Sequence, residues 1–219
     1  MTETLYALYP CFKASSGFRE LHVDDAGQEV ENLFKEWTDL TVRGVYSTAG
    51  FRADTDLMLW FVGPSPDAVQ DALVEFRRTE AGRRLDPSWT FMGVVKPAEF
   101  TADHAPAFAK GEAPRKYLSV YPFVRTPEWY LLPPEERSAL LREHGGIGRE
   151  FPDVLANTTS AFGIGDWEWI LAFEADELDR IVDCIRRLRE AEARRFTKEE
   201  IPFVTGIRKD VRAAFGDLV

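Results

Sequence analysis

The segment from Tyr121 to His144 concentrates residue types suited to redox chemistry and to binding an anion. It opens with an oxidisable phenol, carries an arginine four residues later and ends in a histidine. Because side chains alternate along a strand, Tyr121, Phe123 and Arg125 are expected on one face. An arginine fork suits a carboxylate, and a tyrosine beside a metal centre can be oxidised or donate a hydrogen bond. The alternative is that Tyr121 is a packed strand aromatic.

Two of the three histidines lie in or near this segment. His144 follows a helical pattern and precedes a glycine, so it is either a helix-capping residue or, as a neutral imidazole, an axial ligand of haem iron. His104 precedes Ala105-Pro106 in a loop. It is either a solvent-exposed side chain or an acid–base group, because histidine titrates near neutral pH.

The chain as a whole is acidic, but this region has local positive charge. The formal net charge is -10 at pH 7, which argues against nucleic acid or an anionic membrane as the main partner. A small anionic ligand remains compatible with arginines between positions 115 and 149. Arg125 and Arg149, together with Phe123, are the candidate cofactor-binding residues, and a solvated helix face is the alternative for most of the other arginines.

The elements that must position these residues follow one plan in both halves of the chain. Each half predicts the order strand, helix, strand, strand, helix, strand from its apolar periodicity. The predicted strands are Leu5–Phe12, Val42–Tyr46, Leu57–Val62, Trp89–Val95, Tyr117–Val124, Thr158–Phe162, Trp167–Phe173 and Ile201–Thr205. The predicted helices contain Val30 to Trp37, open at Pro66, and span Pro133–His144 and Ala175–Arg195.

This repeated order predicts an α+β fold of tandem ferredoxin-like units, a dimeric α+β barrel with antiparallel sheets and helices on the outside. The sheets are expected to pack face to face, since each unit otherwise leaves one sheet face bare. The predicted domains are 1–110, which includes most of a long linker, and 111–219. An internal match between R-T-E-A-G-R-R at 78–84 and R-E-A-E-A-R-R at 189–195 supports the repeat.

The remaining bulk features indicate a cytoplasmic protein without a membrane span. No apolar run approaches the ~18 residues that span a bilayer, and no signal peptide is visible. Cys11 and Cys184 lie in apolar contexts and are expected to be reduced core residues.

Taken together, these segments resemble the chlorite-dismutase-like haem proteins, and within them the actinobacterial-type coproheme decarboxylase branch. The resemblance covers nearly the whole chain. Its motifs are V-R-G-V-Y at 42–46, R-A-D-x-D-L-M at 52–58, F-R-R-T at 76–79, P-A-E-F at 97–100, H-x-P-A-F at 104–108, Y-P-F-V-R at 121–125, E-W-Y-L-L-P at 128–133, E-H-G at 143–145, E-A-R-R at 192–195 and P-F-x-T-G at 202–206.

The resemblance implies a role for each candidate residue. His144 falls where the family has its proximal iron ligand, and Tyr121 falls on the tyrosine that becomes a radical. Arg125 matches the residue that holds a propionate, and Trp129 matches the tryptophan near that tyrosine. His104 matches the distal histidine of the actinobacterial branch, a base for peroxide activation.

The implied reaction is oxidative decarboxylation of iron coproporphyrin III (coproheme), which is substrate and cofactor, to haem b with hydrogen peroxide. The resemblance also implies that the haem cofactor binds to the unit 111–219, that the protein is a homopentamer, and that it makes transient contact with coproporphyrin ferrochelatase. Chlorite-decomposing members carry a distal arginine shortly after the proximal histidine, and none occurs between Phe151 and Phe162. The alternatives are a haem carrier or sensor, a chlorite dismutase or peroxidase, and a cofactor-free interaction protein.

Overall fold

The computed structural model describes residues 4–96 and 105–219, and the chain divides into two compact units. The first unit contains residues up to Val95 together with Val204–Val219, and the second contains Lys96–Phe203. His104 and the P-A-E-F motif at 97–100 lie outside the described residues. No helix in the described ranges is long and apolar enough to cross a membrane.

The first unit has the predicted strand and helix order. Its strands β1 to β4 are Tyr6–Ala14, Thr41–Ser47, Leu57–Gly63 and Leu85–Val94, and its helices α1 and α2 are Val23–Glu36 and Pro66–Arg78. The strands pair antiparallel in the order β4-β1-β3-β2, which is the ferredoxin-like arrangement.

The core of the first unit lies between this sheet and its helices. Apolar strand residues such as Phe12 and Phe61 meet Val30 of α1 and Phe76 of α2. Helix α2 begins as its sequence predicts: the Ser65 hydroxyl accepts a hydrogen bond from the Ala68 N–H, and Pro66 occupies the first turn. Such caps satisfy backbone groups that would otherwise lack a partner at a helix end.

The second unit repeats the arrangement. Its strands β5 to β8 are Tyr117–Arg125, Leu155–Ser160, Trp169–Ala175 and Thr197–Glu199, and its helices α3 to α5 are Pro127–Leu131, Pro134–Gly148 and Leu178–Leu188. These strands pair antiparallel in the order β6-β7-β5-β8. The predicted α+β fold with antiparallel sheets is therefore confirmed.

Several predictions in the second unit were wrong: the helix predicted to end at His144 continues to Gly148, and the strand predicted at Thr158–Phe162 is Leu155–Ser160. The helix expected over Ala175–Arg195 is confined to α5, because Ala175 ends β7 and the segment Glu192–Phe196 forms a 3-10 turn. This turn buries Ala193 against the rest of the unit, so tertiary packing overrides the helical propensity of an Arg- and Glu-rich stretch. Helix α3 was not predicted and begins at Pro127.

The end of the chain also differs from the prediction. The last strand, β9, is Val204–Lys209 rather than Ile201–Thr205, and a helix α6, Val211–Gly216, follows it. Strand β9 pairs with β2, and Phe215 of α6 packs edge-on against Phe18. Residues 204–219 therefore group with the first unit, whereas the sequence assigned all of 111–219 to the second.

Candidate functional site

Tyr121 lies in the core of the second unit, on the sheet face that carries α5. Its ring is stacked against Phe203, with centroids 4.2 Å apart, and faces Phe173 at 6.1 Å. The side chain is only 5% exposed. Burial, reinforced by the Glu200 carboxylate, raises the pKa of the Tyr121 phenol well above its usual range. The phenol therefore keeps its proton at neutral pH.

Arg125 is clamped between two aromatic rings at the end of β5. Its guanidinium lies 4.6 Å from the Phe123 ring centre and 4.1 Å from that of Trp129, and Nη1 donates to the Ala193 carbonyl at 2.8 Å. Burial lowers the pKa of Arg125 to about 10, so the group remains a cation at neutral pH. The expected shared face of Phe123 and Arg125 is thus present.

Trp129 is positioned by helix α3, which begins directly after β5. Its buried ring packs on Phe196 at 5.6 Å and covers Arg125. The Thr126 N–H donates to the Phe196 carbonyl at 2.9 Å, which fixes the chain just before α3. The tryptophan therefore holds the arginine in place.

His144 lies within α4 rather than at its end. The helix continues to Gly148, so the histidine is not a C-terminal cap, which removes one of its two alternatives. Helix α4 packs against α5 and the 192–196 turn, and the Glu143 carboxylate accepts from the Glu192 N–H at 3.3 Å. His144 is half-buried.

The inner face of α4 is loosely packed compared with other helices. Of its fifteen residues only Ile147 is buried, whereas the thirteen-residue α2 buries three. A side chain added at Gly148, four residues after His144, would meet no atom within 4 Å. The face that carries His144 therefore borders open space.

The sheet surface beside Tyr121 is also partly open. Thr158 of β6 pairs with Leu171 of β7, which in turn pairs with Tyr121, so the three side chains form one row. Thr158 is exposed and Leu171 is half-buried. This row forms a flat surface beside the Tyr121 phenol, with one polar and one apolar side chain.

Charged residues that the sequence reasoning missed lie close to Tyr121. The Glu200 carboxylate forms ion pairs with Arg189 and Arg194, and its side chain is 13% exposed. All three groups act electrostatically on the Tyr121 phenol. Arg194 belongs to the E-A-R-R motif, but nothing in its spacing indicated a position beside a strand tyrosine.

Of the predicted site residues that the structure describes, Arg149 is not brought into this cluster. Arg149 is an exposed residue at the C-terminal cap of α4, and His104 lies outside the described residues. Among the residues described, no group of three or more His, Cys, Asp or Glu side chains could hold a metal ion.

Comparison with known proteins identifies the family. A family model described as Chlorite dismutase matches residues 23–209, which include all of β5, α3, α4 and the 192–196 turn. The chain belongs to the chlorite dismutase family. Solved structures agree at the level of the fold: chlorite dismutase from Candidatus Nitrospira defluvii in complex with imidazole superposes with a TM-score of 0.86 at 22% identity, covering 98% of this chain and 94% of that one.

Two relatives identified by sequence comparison are both named coproheme decarboxylase. The chain is 49% identical over 211 residues to the coproheme decarboxylase of Mycolicibacterium smegmatis, covering 94% of this chain and 90% of the relative. It is 27% identical over 207 residues to the coproheme decarboxylase of Thermus thermophilus, covering 87% of this chain and 82% of the relative. This member of the chlorite dismutase family is thus similar along nearly its full length to proteins named for decarboxylation.

Proposed function

We propose that the protein catalyses the hydrogen peroxide-dependent oxidative decarboxylation of two propionates of coproheme III to give haem b. This is the last step of the coproporphyrin-dependent route to haem. The observation that carries the proposal is the 49% identity to a coproheme decarboxylase over 94% of the chain. Coproheme is then both substrate and redox cofactor, and it supplies the iron chemistry that makes peroxide an oxidant.

The residues of the second unit fit such a group. The half-buried imidazole of His144 would ligate the iron, and the row containing Thr158 and Leu171 would offer contacts to a flat ring. Arg125 offers a rigid fork for a propionate carboxylate. Phe123 and Arg149 complete the proposed cofactor-binding set.

Tyr121 is the proposed catalytic residue. As a tyrosyl radical, Tyr121 would take a hydrogen atom from the β-carbon of a propionate and become the phenol again. The carbon radical would then lose carbon dioxide and one further electron to give the vinyl group, so each decarboxylation releases two electrons, the number that one hydrogen peroxide accepts. The stacks on Phe203 and Phe173 keep the ring in one orientation while it changes oxidation state. Because the pKa of Tyr121 is raised, the neutral phenol that this role requires is the form present at neutral pH.

Arg125 and Trp129 are proposed to fix the reacting propionate near Tyr121. A side chain already clamped by two rings loses little freedom when it binds a carboxylate, and such positioning can lower a barrier by several kcal/mol. Arg125 lies on the same strand face as Tyr121, four residues away. The carboxylate and the phenol are thereby held on one surface.

His104 is proposed as the base that removes a proton from hydrogen peroxide. The proposal comes from the sequence, where His104 occupies the H-x-P-A-F motif. Peroxide must lose a proton as it is activated, and histidine can accept one near neutral pH. Trp129, Tyr121 and His104 are then the catalytic set.

Chlorite dismutation is disfavoured by the residues of β6. No arginine lies between Phe151 and Phe162, and the side chain that faces the row beside Tyr121 is Thr158. A threonine hydroxyl cannot hold an anion by charge. A haem carrier or sensor would use His144 but would have no need for Tyr121.

One experiment separates these functions. Iron coproporphyrin III is added to the purified protein, the Soret band is recorded, and peroxide is titrated while mass spectrometry follows the porphyrin. The expected result is porphyrin binding followed by stepwise loss of two carboxyl groups. Binding without carboxyl loss would establish a carrier instead, and absence of binding would rule out both haem functions.

We also propose a cytoplasmic homo-oligomer, a pentamer as the family resemblance implies. Both cysteines are free and buried, which suits a reducing compartment. Coproheme would arrive by transient contact with coproporphyrin ferrochelatase. Light scattering on the intact protein should give a mass about five times that of the chain, and a monomer would contradict the proposal.

A further inference from the structure

Tyr130 donates a short hydrogen bond to a carboxylate at the edge of the second unit. Its Oη lies 2.5 Å from Oε2 of Glu168, within the range of charge-assisted O–H···O⁻ bonds. The tyrosine side chain is 37% exposed, and its ring meets Phe162 edge-on at 6.0 Å. Tyr130 is thus a phenol that solvent can reach and that already has a proton acceptor.

The acceptor is held in place by backbone contacts. Oε2 of Glu168 also accepts from the Arg125 N–H at 2.7 Å. The Glu168 N–H donates to the Phe123 carbonyl at 3.3 Å, and the Glu168 carbonyl accepts from the Ala161 N–H at 2.8 Å. The carboxylate therefore cannot move far from Tyr130.

This pairing suits coupled loss of an electron and a proton. Burial and the neighbouring Glu168 raise the pKa of Tyr130 well above its usual range, so the phenol does not ionise first. When an electron leaves, the phenolic proton can move to Glu168, giving a neutral tyrosyl radical and a carboxylic acid. When an electron returns, the proton moves back and both groups are restored.

We propose that Tyr130 and Glu168 form a surface oxidation site at which small one-electron reductants, such as phenols or ascorbate, deliver electrons to the protein. Each reductant loses one electron, and the Tyr130 radical is reduced. The site differs from Tyr121, which is buried between aromatic rings.

The direction of electron flow rests on the proposed function. Trp129 precedes Tyr130 in the chain, and its ring lies over Arg125. Trp129 therefore connects the surface phenol of Tyr130 to the buried side chains around Arg125. Hydrogen peroxide takes up two electrons and two protons to give two waters. Two reductant molecules, acting in turn through Tyr130, therefore balance one peroxide that is not used for decarboxylation.

The surface site can be tested without any porphyrin. The purified protein is photo-oxidised with a ruthenium tris-bipyridine sensitiser and persulfate, and tyrosyl radicals are recorded by electron paramagnetic resonance. Tyr130→Phe should remove most of the signal, whereas Tyr117→Phe, a matched change in the same unit, should leave it. Glu168→Gln retains an oxygen acceptor but cannot take the proton, so radical formation should slow at least ~tenfold.

Some results would overturn the proposal. An undiminished radical signal in Tyr130→Phe would remove the oxidation site, and an unchanged rate in Glu168→Gln would remove the proton transfer. With iron coproporphyrin III and peroxide, ascorbate oxidation should be slower in Tyr130→Phe than in the wild type. An unchanged rate of ascorbate oxidation would refute electron transfer from Tyr130 to the bound porphyrin. If the wild type decarboxylates nothing yet photo-oxidises at Tyr130, the proposed function fails and the surface site stands.

Discussion

Replacing Arg125 with alanine tests whether this clamped cation holds a propionate. In the protein alone, the change removes two ring contacts, worth about 0.5–2 kcal/mol each, and a charged hydrogen bond to Ala193, worth about 1.5–3 kcal/mol. Removing a buried charge offsets part of this loss. We expect a net destabilisation of about 1–3 kcal/mol, or roughly 2–12 °C in the unfolding temperature.

The effect on substrate affinity should be separate and larger. Loss of charge-assisted hydrogen bonds to one carboxylate costs about 1.5–3 kcal/mol, which weakens coproheme binding by roughly 10- to 100-fold. Arg125→Lys keeps the charge but loses the planar fork and the ring stacking, so an intermediate affinity is expected. Coproporphyrin tetramethyl ester, which has no carboxylate, serves as the control ligand and should bind both variants as it binds the wild type.

The assay is a Soret titration at several pH values, with thermal unfolding measured in parallel. Because the pKa of Arg125 is about 10, its charge is constant at neutral pH, and the affinity loss should not vary from about pH 6 to pH 9. Folding lowers the pKa of Arg125, so the unfolded chain binds this proton more tightly than the folded protein does. The contribution of Arg125 to the free energy of unfolding should therefore be constant below about pH 10 and rise with pH above it. Wild-type affinity for coproheme in a folded Arg125→Ala protein would refute the propionate-binding role.

Three further substitutions, the last with a matched control variant, give distinct outcomes. Tyr121→Phe keeps the stacked ring, so coproheme should still bind while decarboxylation, followed by mass spectrometry, is lost; full turnover would exclude Tyr121 from the mechanism. His144→Ala should abolish the wild-type Soret spectrum, with added imidazole restoring it, and an unchanged spectrum would identify another ligand. Asn157→Ala should lower the free energy of unfolding by about 2–4 kcal/mol, because it removes the side-chain acceptor of the Phe108 N–H and one donor to the buried Glu174 carboxylate. Thr158→Ala, on the opposite face of the same strand, should change stability by less than ~0.5 kcal/mol, and equal losses in both variants would contradict the assigned burial.

Most of the fold could be predicted because local patterns and tertiary structure agree there. The apolar run of β3 and the Ser65–Pro66 start of α2 are strong local signals, and both elements are found within a residue or two of their predicted positions. The alternation of Tyr121, Phe123 and Arg125 correctly predicted a shared strand face. These inferences need only the periodicity of side chains along a strand or helix.

The prediction failed where long-range contacts decide the structure. The Arg189–Arg195 stretch looks helical, yet it becomes a turn whose Ala193 carbonyl binds Arg125, almost seventy residues earlier in the chain. The apolar run at 201–205 is divided by the boundary between the units: Phe203 stacks on Tyr121, and Val204 begins β9. Helix α6 did carry a signal, an Asp210 cap followed by Val211, Ala214 and Phe215, but a six-residue helix is too short for periodicity to reveal.

The same long-range contacts explain why the residues of the proposed site could be identified from the sequence, whereas their three-dimensional arrangement could not. The Y-P-F-V-R motif identifies Tyr121 and Arg125 as candidates. Their burial, pKa and orientation, however, depend on residues elsewhere in the chain. Phe203 and Glu200 bury and polarise the Tyr121 phenol, and Ala193 fixes the Arg125 guanidinium. The turn that supplies Ala193 also packs against α4, the helix that carries His144. A substitution that displaces this turn, such as Ala193→Pro, should therefore disturb carboxylate binding and iron ligation together, although it touches neither Arg125 nor His144 covalently.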